Sequence, residues 1–328
     1  MNEIINMIEN KGWKKIIWAV DPFSEESKLQ QSAALAVQTL TGSGETPVEP
    51  VYLLNQSPLG IPITLPPEVV IQTCAAAQEK LNEILSAIHL KNLLPVKVLT
   101  KSYINQKEIS DELINYAKET EADLIVASTH GQAGVRRWFT GSFVENLMLY
   151  SDVPLFIVNP HWKSETDFRN ILFPTDFSDE SLLAFTHVLN LVKSLKSSDV
   201  TIFHQIPYVL NPYIQSAFSV YPMYKEAFEQ ELSEKQREAT KLTNIAREQG
   251  VHAHTYIDYR LRGSPAEAIL SFAKRKHCIV AMTARSGKLS TNLLGSTTRK
   301  VMRGAIYPVW VIHPHYQTKE FAPKKIAA

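Results

Sequence analysis

The sequence predicts an α/β protein made of two tandem domains, each a five-stranded, mostly parallel sheet with helices on both faces. Three observations carry that prediction. Short apolar runs alternate with amphipathic segments of helix length. The order of these segments starts again near residue 168. Residues also match across the restart at one offset. Phe23, Ser24, Glu26 and Ser27 recur 154 positions later as Phe177, Ser178, Glu180 and Ser181. Gly141, Ser142, Pro154 and Pro160 recur at the same offset of 154 as Gly295, Ser296, Pro308 and Pro314. A single offset across a whole unit indicates duplication. It sets domain 1 at 1–160, domain 2 at 161–315 and a loose charged tail at 316–328. The linker HWKSETDFRN is short, so the halves are expected to pack on each other.

The elements follow in order. Residues 1–12 read as a polar, amphipathic lead. IIWAV is an unbroken apolar run ending at Asp21, the pattern of a buried strand. Ser24, with Glu25 and Glu26 behind it, is a helix start, because a serine oxygen caps free N–H groups and acids suit the positive end of the helix. That helix runs to Leu40 and stops at Gly42 and Gly44. PVEPVYLLN is the second strand. Pro58, Pro62, Pro66 and Pro67 keep residues 55–68 out of regular structure. VVIQTCAAAQEKLNEILSAI is a helix, VKVLTK a strand, and SDELINYAKETE a helix with Ser110 as its expected cap. Leu124 to Ala127 forms the fourth strand, Gly141 to Tyr150 the fourth helix, and Leu155 to Val158 the fifth strand.

The second half repeats the scheme. ILFPT ends at Asp176 and FSDESLLAFTHVLNLVKSL is its helix. DVTIFHQ is a strand, followed by an irregular, aromatic-rich insertion at 207–222. A long helix ends at Gly250. HAHTYIDYR, SPAEAILSFAKRK and HCIVAMTA read as strand, helix and strand. A helix from Ser296 to Arg303 and the strand YPVWVIHP complete the round.

Composition narrows the function. Apolar residues make up 45% and charged residues 20% of the 328, as in an ordinary globular protein. The net charge of +1 gives no bulk attraction to nucleic acid or to an anionic membrane. Cys74 and Cys278 are the only cysteines, which excludes a disulfide framework or thiolate cluster and fits a reducing compartment. The N-terminus lacks a signal-peptide pattern, and no apolar run approaches the roughly 20 residues of a membrane helix. The expectation is a soluble, cytoplasmic protein.

Chemistry concentrates where strands end. In open α/β sheets ligands sit beyond the carboxyl ends of the strands. Asp21 ends the first strand, and the stretch from Ser128 through Gly131 to Gly141-Ser142 follows the fourth. A carboxylate there can accept from an amine or a ribose hydroxyl. Glycines feeding a helix N-terminus present unpaired N–H groups to an anion. Plain alternatives stand beside these readings: Asp21 as a turn or capping aspartate, Gly141-Ser142 as a tight turn. The pairing of the two features, 120 residues apart in the first half and 119 in the second, favours a site.

These residues resemble the universal stress protein family, and the resemblance covers nearly the whole chain as a tandem member. Nucleotide-binding members carry an aspartate after the first strand and a loop of pattern G-x-x-G-x9-G-[S/T]. Here the first loop reads Ser128-Thr129-His130-Gly131, nine residues, then Gly141-Ser142, with Ser128 in place of the first glycine. The resemblance implies a Rossmann-like, nucleotide α-hydrolase-like fold and a stress-response role. It implies adenine nucleotide, ATP or AMP with magnesium, as ligand. Asp21 and backbone near Val20 and Leu53 would hold adenine and ribose; Ser128, His130, Gly131, Gly141, Ser142 and Phe143 would surround phosphates. In the second half Thr175, Asp176, Gly295, Ser296 and Thr297 match. Ungapped alignment puts Met282 and Arg285 where loop glycines belong; a one-residue shift instead aligns Arg285-Ser286-Gly287 with the loop beyond. The better site is therefore expected in the first half. The resemblance further implies pairing of the halves through Leu155–Val158 and Val309–Ile312, with a homodimer as a further level.

The other polar residues carry less. Arg136 and Arg137 read equally as phosphate contacts or a solvated pair. His204, His252, His254 and His277 make no metal-like set. Cys278 reads as a buried strand residue. The 207–224 stretch reads as a lid over the sheet edge or the wall of an apolar pocket. No nucleophile, base and orienter assemble, so a regulatory nucleotide binder is expected, not an enzyme. The alternatives are an interaction module with degenerate sites, or a slow ATPase. An adenylating synthetase lacks support, since neither its serine-glycine-glycine loop nor a histidine-glycine-histidine signature occurs.

Overall fold

A computed structural model describes residues 13–23, 27–42, 46–57, 65–86, 88, 90–129, 141–160, 162, 168–195, 199–206, 222–259, 263–284 and 294–313. The expected cap Ser24, the loop residues His130 and Gly131, Arg136 and Arg137, Arg285, the 207–221 insertion and the tail lie outside the described residues. Contacts divide the chain into two compact units.

One unit holds residues 11–165, 291–294 and 308–328. Its strands are β1 (Ile16–Ala19), β2 (Val48–Asn55), β3 (Lys97–Lys101), β4 (Leu124–Ser128), β5 (Leu155–Val158) and the chain's last, β10 (Val309–Ile312). They lie in the order β3-β2-β1-β4-β5-β10. The first five pair in parallel. β10 runs antiparallel on β5, with Val309 opposite Ile157 and Val311 opposite Leu155. Every residue of β1, β4, β5 and β10 is buried, which is why these strands read as unbroken apolar runs. Trp310 of β10 meets Trp13 edge-on, with centroids 6.2 Å apart. The strands expected to bring the halves together thus pair directly. Each repeat contributes five strands, yet the fifth strand of the second repeat is built into the unit of the first.

Among the described residues the helices of this unit are α1 (Ser27–Thr41), α2 (Pro67–Ser86), α3 (Gln106–Glu119) and α4 (Gly141–Tyr150). The start of α3 corrects the sequence reading. Its cap is Asn105, whose side chain accepts from the Glu108 N–H at 3.0 Å. The Glu108 carboxylate answers by accepting from the Ile104 N–H and the Asn105 amide, both at 2.9 Å. That reciprocal pair lets the helix begin more than a turn before Ser110. Ser110 is instead an interior residue, its hydroxyl donating to the carbonyls of Gln106 and Phe143.

The other unit holds residues 1–10, 166–290 and 295–307. Its strands β6 (Asn170–Pro174), β7 (Asp199–Gln205), β8 (Ala253–Asp258) and β9 (Ile279–Thr283) lie in the order β9-β6-β7-β8, all parallel. Its helices are α5 (Asp179–Ser194), α6 (Pro222–Glu248), α7 (Pro265–Lys276) and α8 (Ser296–Gly304). α7 packs on β6 and β7, and α6 on β7 and β8. Phe203 of β7 meets Phe272 of α7 at 5.5 Å. α7 starts with a full capping box: Glu267 N–H donates to the Ser264 hydroxyl, and Ser264 N–H to the Glu267 carboxylate at 2.8 Å. Gly263 just before it has φ +86°, and a Cβ there would come within 2.7 Å of Glu267 Oε2. Only glycine suits this turn. No described helix is long and apolar enough to cross a membrane.

Candidate functional site

The clearest cavity among the described residues lies at the carboxyl edge of the second repeat's sheet. It measures about 220 Å³ and its lining includes Thr175, Asp176, Gln205, Met282, Thr283 and Thr297. Parallel pairing brings these together, because β6, β7 and β9 all end at this edge.

Thr175 continues β6, its N–H donating to the Phe203 carbonyl at 2.9 Å. Its own carbonyl lies 2.7 Å from His204 Nδ1, and since a carbonyl only accepts, Nδ1 carries the proton. Burial, opposed by that hydrogen bond, lowers the His204 pKa and keeps the ring neutral. Next, Asp176 Oδ1 accepts three hydrogen bonds, from the Ser178 N–H at 3.0 Å and the hydroxyls of Ser178 and Ser181 at 2.7 Å each. Burial pushes this carboxyl up, but those donors outweigh it and hold the pKa below the usual carboxylate range. Asp176 therefore fills the turn-forming role with one oxygen. All three of these bonds fall on Oδ1, and the residue itself is exposed. Phe177, at φ +61°, turns the chain into α5.

Across the cleft, α8 begins at Gly295 with no side-chain cap. Its first-turn N–H groups keep the free donors of an uncapped helix. The Thr298 hydroxyl donates to the Thr283 carbonyl at 3.1 Å and ties α8 to the end of β9. Gly295 has φ −54° and ψ 136°, which any residue adopts, and a Cβ there would meet Thr298 Oγ1 at 3.4 Å, an ordinary contact. The fold itself does not require glycine at this position. A ligand approaching the backbone would.

The first repeat arranges the corresponding residues differently. Val20, Asp21 and Ser128 share a hollow of about 10 Å³ with Trp18, Ala19, Gln30 and Ala33. The Val20 N–H donates to the Val51 carbonyl, and the Asp21 carboxylate accepts from the Phe23 N–H at 2.9 Å. Leu53, on β2, is buried and does not line the hollow. Gly141 and Ser142 open α4 as expected. Phe143 is 1% exposed, so its side chain is core and only its backbone could face a ligand.

In the second repeat, Thr175, Asp176 and Thr297 meet in one cleft, with Gly295 and Ser296 at the helix start beside it. The sequence reading missed Gln205, Ser181 and the α7 wall of Pro265 and Ile269. A register signal was present for Gln205: Ala19 pairs with Val51 and Pro174 with Phe203, so Gln205 stands level with Leu53. Cys278 is buried, immediately before β9, and burial raises its thiol to about 11. Among the described residues no group of three or more His, Cys, Asp or Glu could hold a metal ion.

The profile of the universal stress protein family matches residues 12–159 and 167–313. A universal stress protein of Methanocaldococcus jannaschii is 32% identical over 152 residues, 45% of this chain and 84% of the relative. A second protein of the same family and organism is 30% identical over 154 residues, 44% of this chain and 94% of the relative. Among solved structures, a universal stress protein from Archaeoglobus fulgidus aligns with TM-score 0.64 at 19% identity, covering 93% of this chain and 97% of the other. At that identity the likeness concerns the fold.

Proposed function

Because the chain belongs to the universal stress protein family, we propose that it is a stress-response protein that binds adenine nucleotide at the sheet edge and acts by occupancy rather than catalysis. The observation that carries this is the second-repeat cleft. It brings the Asp176 carboxylate into one cleft with an uncapped helix N-terminus that starts at a glycine the fold does not demand. Asp176 would accept from a ribose hydroxyl, and the α8 N-terminus would receive phosphate. Magnesium, if carried, would arrive on the phosphates of ATP. The first repeat would use Val20, Asp21, Ser128 and its glycine loop in the same way.

A non-catalytic role is supported by how the nucleophile candidates are engaged. The Ser178 and Ser181 hydroxyls both donate to Asp176 as part of the turn into α5, with Ser178 also capping that helix. Action in the cytoplasm fits the reduced, unpaired cysteines. Within the chain β10 already occupies the β5 edge, so a homodimer would have to use another face.

Mass spectrometry of ligand released by heating the purified protein tests the proposal. AMP or ATP is expected, and the amount should drop in Gly295→Arg and in Gly131→Arg. A protein that is empty and also fails to bind added AMP and ATP would overturn it.

A further inference from the structure

Gln205 lines the second-repeat cleft and departs from its first-repeat counterpart, Leu53, by carrying a side-chain amide. It ends β7, and its Oε1 is buried without a hydrogen-bond partner. Leaving such an acceptor unmet is costly, so a functional partner is the natural explanation. Side chains alternate along a strand. Phe203 therefore shares a face with Gln205, and Phe203 packs on Phe272 of α7. His204, which also lines the cleft, alternates with Gln205 and meets Phe177 at 4.9 Å, and Lys235 of α6 stands over the Phe177 ring. Pro265 and Ile269, which wall the cleft, belong to α7. Gln205 thus stands on the α7 side of the cleft it lines. Leu53, level with it in the first repeat, has no polar atom to offer.

A primary amide presents an acceptor beside a donor. On the edge of a purine that pair matches the 6-amino group beside a ring nitrogen, the arrangement glutamine reads bidentately on adenine. Phe203 and Ile269 supply the apolar surface a base needs.

We propose that the Gln205 side chain reads the 6-amino edge of a purine in the second-repeat cleft and sets that cleft's preference for adenine. This rests on the nucleotide reading above and adds a specificity determinant that the first repeat lacks.

Photolabelling with 8-azido-AMP, followed by mapping of labelled peptides, separates the two repeats. AMP should compete for second-repeat labelling about tenfold better than purine riboside 5′-monophosphate, which lacks the 6-amino group. In Gln205→Leu, the residue the first repeat uses at this level, the two competitors should become equal. Gln205→Glu, which accepts but cannot donate, should fall between. Any first-repeat label should keep its competitor ratio in both variants. An unchanged second-repeat ratio in Gln205→Leu overturns the role of Gln205 and leaves nucleotide binding standing. Absence of second-repeat labelling in the wild-type protein, or labelling that survives Gly295→Arg, overturns nucleotide binding in this cleft and the Gln205 role with it.

Discussion

The two repeats present the same sheet edge with different chemistry. Val20, Leu53 and Ser128 of the first stand where the second carries Thr175, Gln205 and Met282. Beneath the aspartates, the ring pair Phe23–Tyr52 of the first, at 5.7 Å, answers Phe177–His204 of the second, at 4.9 Å. Below them β1 is wholly buried, as are Ile171, Leu172 and Phe173 of β6. The comparison teaches that buried strands hold the scaffold while the residues one or two steps beyond their ends are free to diverge. Duplication supplied two edges, and each was then available for its own ligand preference.

The comparison can be broken most directly through Asp176. Asp176→Ala removes the acceptor of three hydrogen bonds at the start of α5 and should cost about 1–3 kcal/mol in urea unfolding. Asp176→Asn, which keeps an acceptor oxygen, should recover part of that. Next comes the capping box of α7: Ser264→Ala should cost about 1 kcal/mol and loosen the Pro265–Ile269 wall, seen as faster amide exchange there.

A pH profile sharpens the difference between His204 and Tyr52. The folded His204 pKa is lowered, so near and below its ordinary value of 6.5 the unfolded chain binds more protons than the folded one. Its neutral-state contribution is present above that value and is lost on acidification, down to the folded pKa. Thermal midpoints should therefore fall between pH 7 and pH 5. His204→Tyr, copying the first repeat, should flatten that part of the curve. The charges of Lys235, Glu238 and Asp176 also act on this ring. The depressed Asp176 carboxyl acts lower: its stabilisation is present above the ordinary carboxylate pKa and disappears as pH falls through its folded value. The smallest effect on stability belongs to Gly295→Ala, within about 0.5 kcal/mol because the backbone is ordinary and an added Cβ would make ordinary van der Waals contacts. Its effect on nucleotide release should be far larger, and equal losses of both would show that the glycine serves the fold.

Much of the scaffold was legible because the signals are local. Unbroken apolar runs marked β1, β4 and β5, and Ser264-Pro265-Ala266-Glu267 spelled a helix start. Ser110 misled because a serine before an apolar stripe looks like a cap, whereas Asn105 and Glu108 capture the backbone first. The aspartates and the Gly-Ser pairs stood out as a repeated spacing. Gln205 did not, since a polar residue at a strand end looks the same whether it meets water or a ligand. The pairing of β10 with β5 was expected from the family resemblance and not from the run itself, since an apolar run states that a strand is buried, not which neighbour buries it.

That last strand has a consequence for how the protein is made. The unit of the first repeat receives β10 only when residues 309–312 have been synthesised, after the whole second repeat. Until then Leu155–Val158 offers an unpaired apolar edge, a template for joining other chains. Ribosomes that stop early should thus release a first half that aggregates, although every residue of its own repeat is present. A short peptide carrying VWVI, added in trans, should suppress that aggregation.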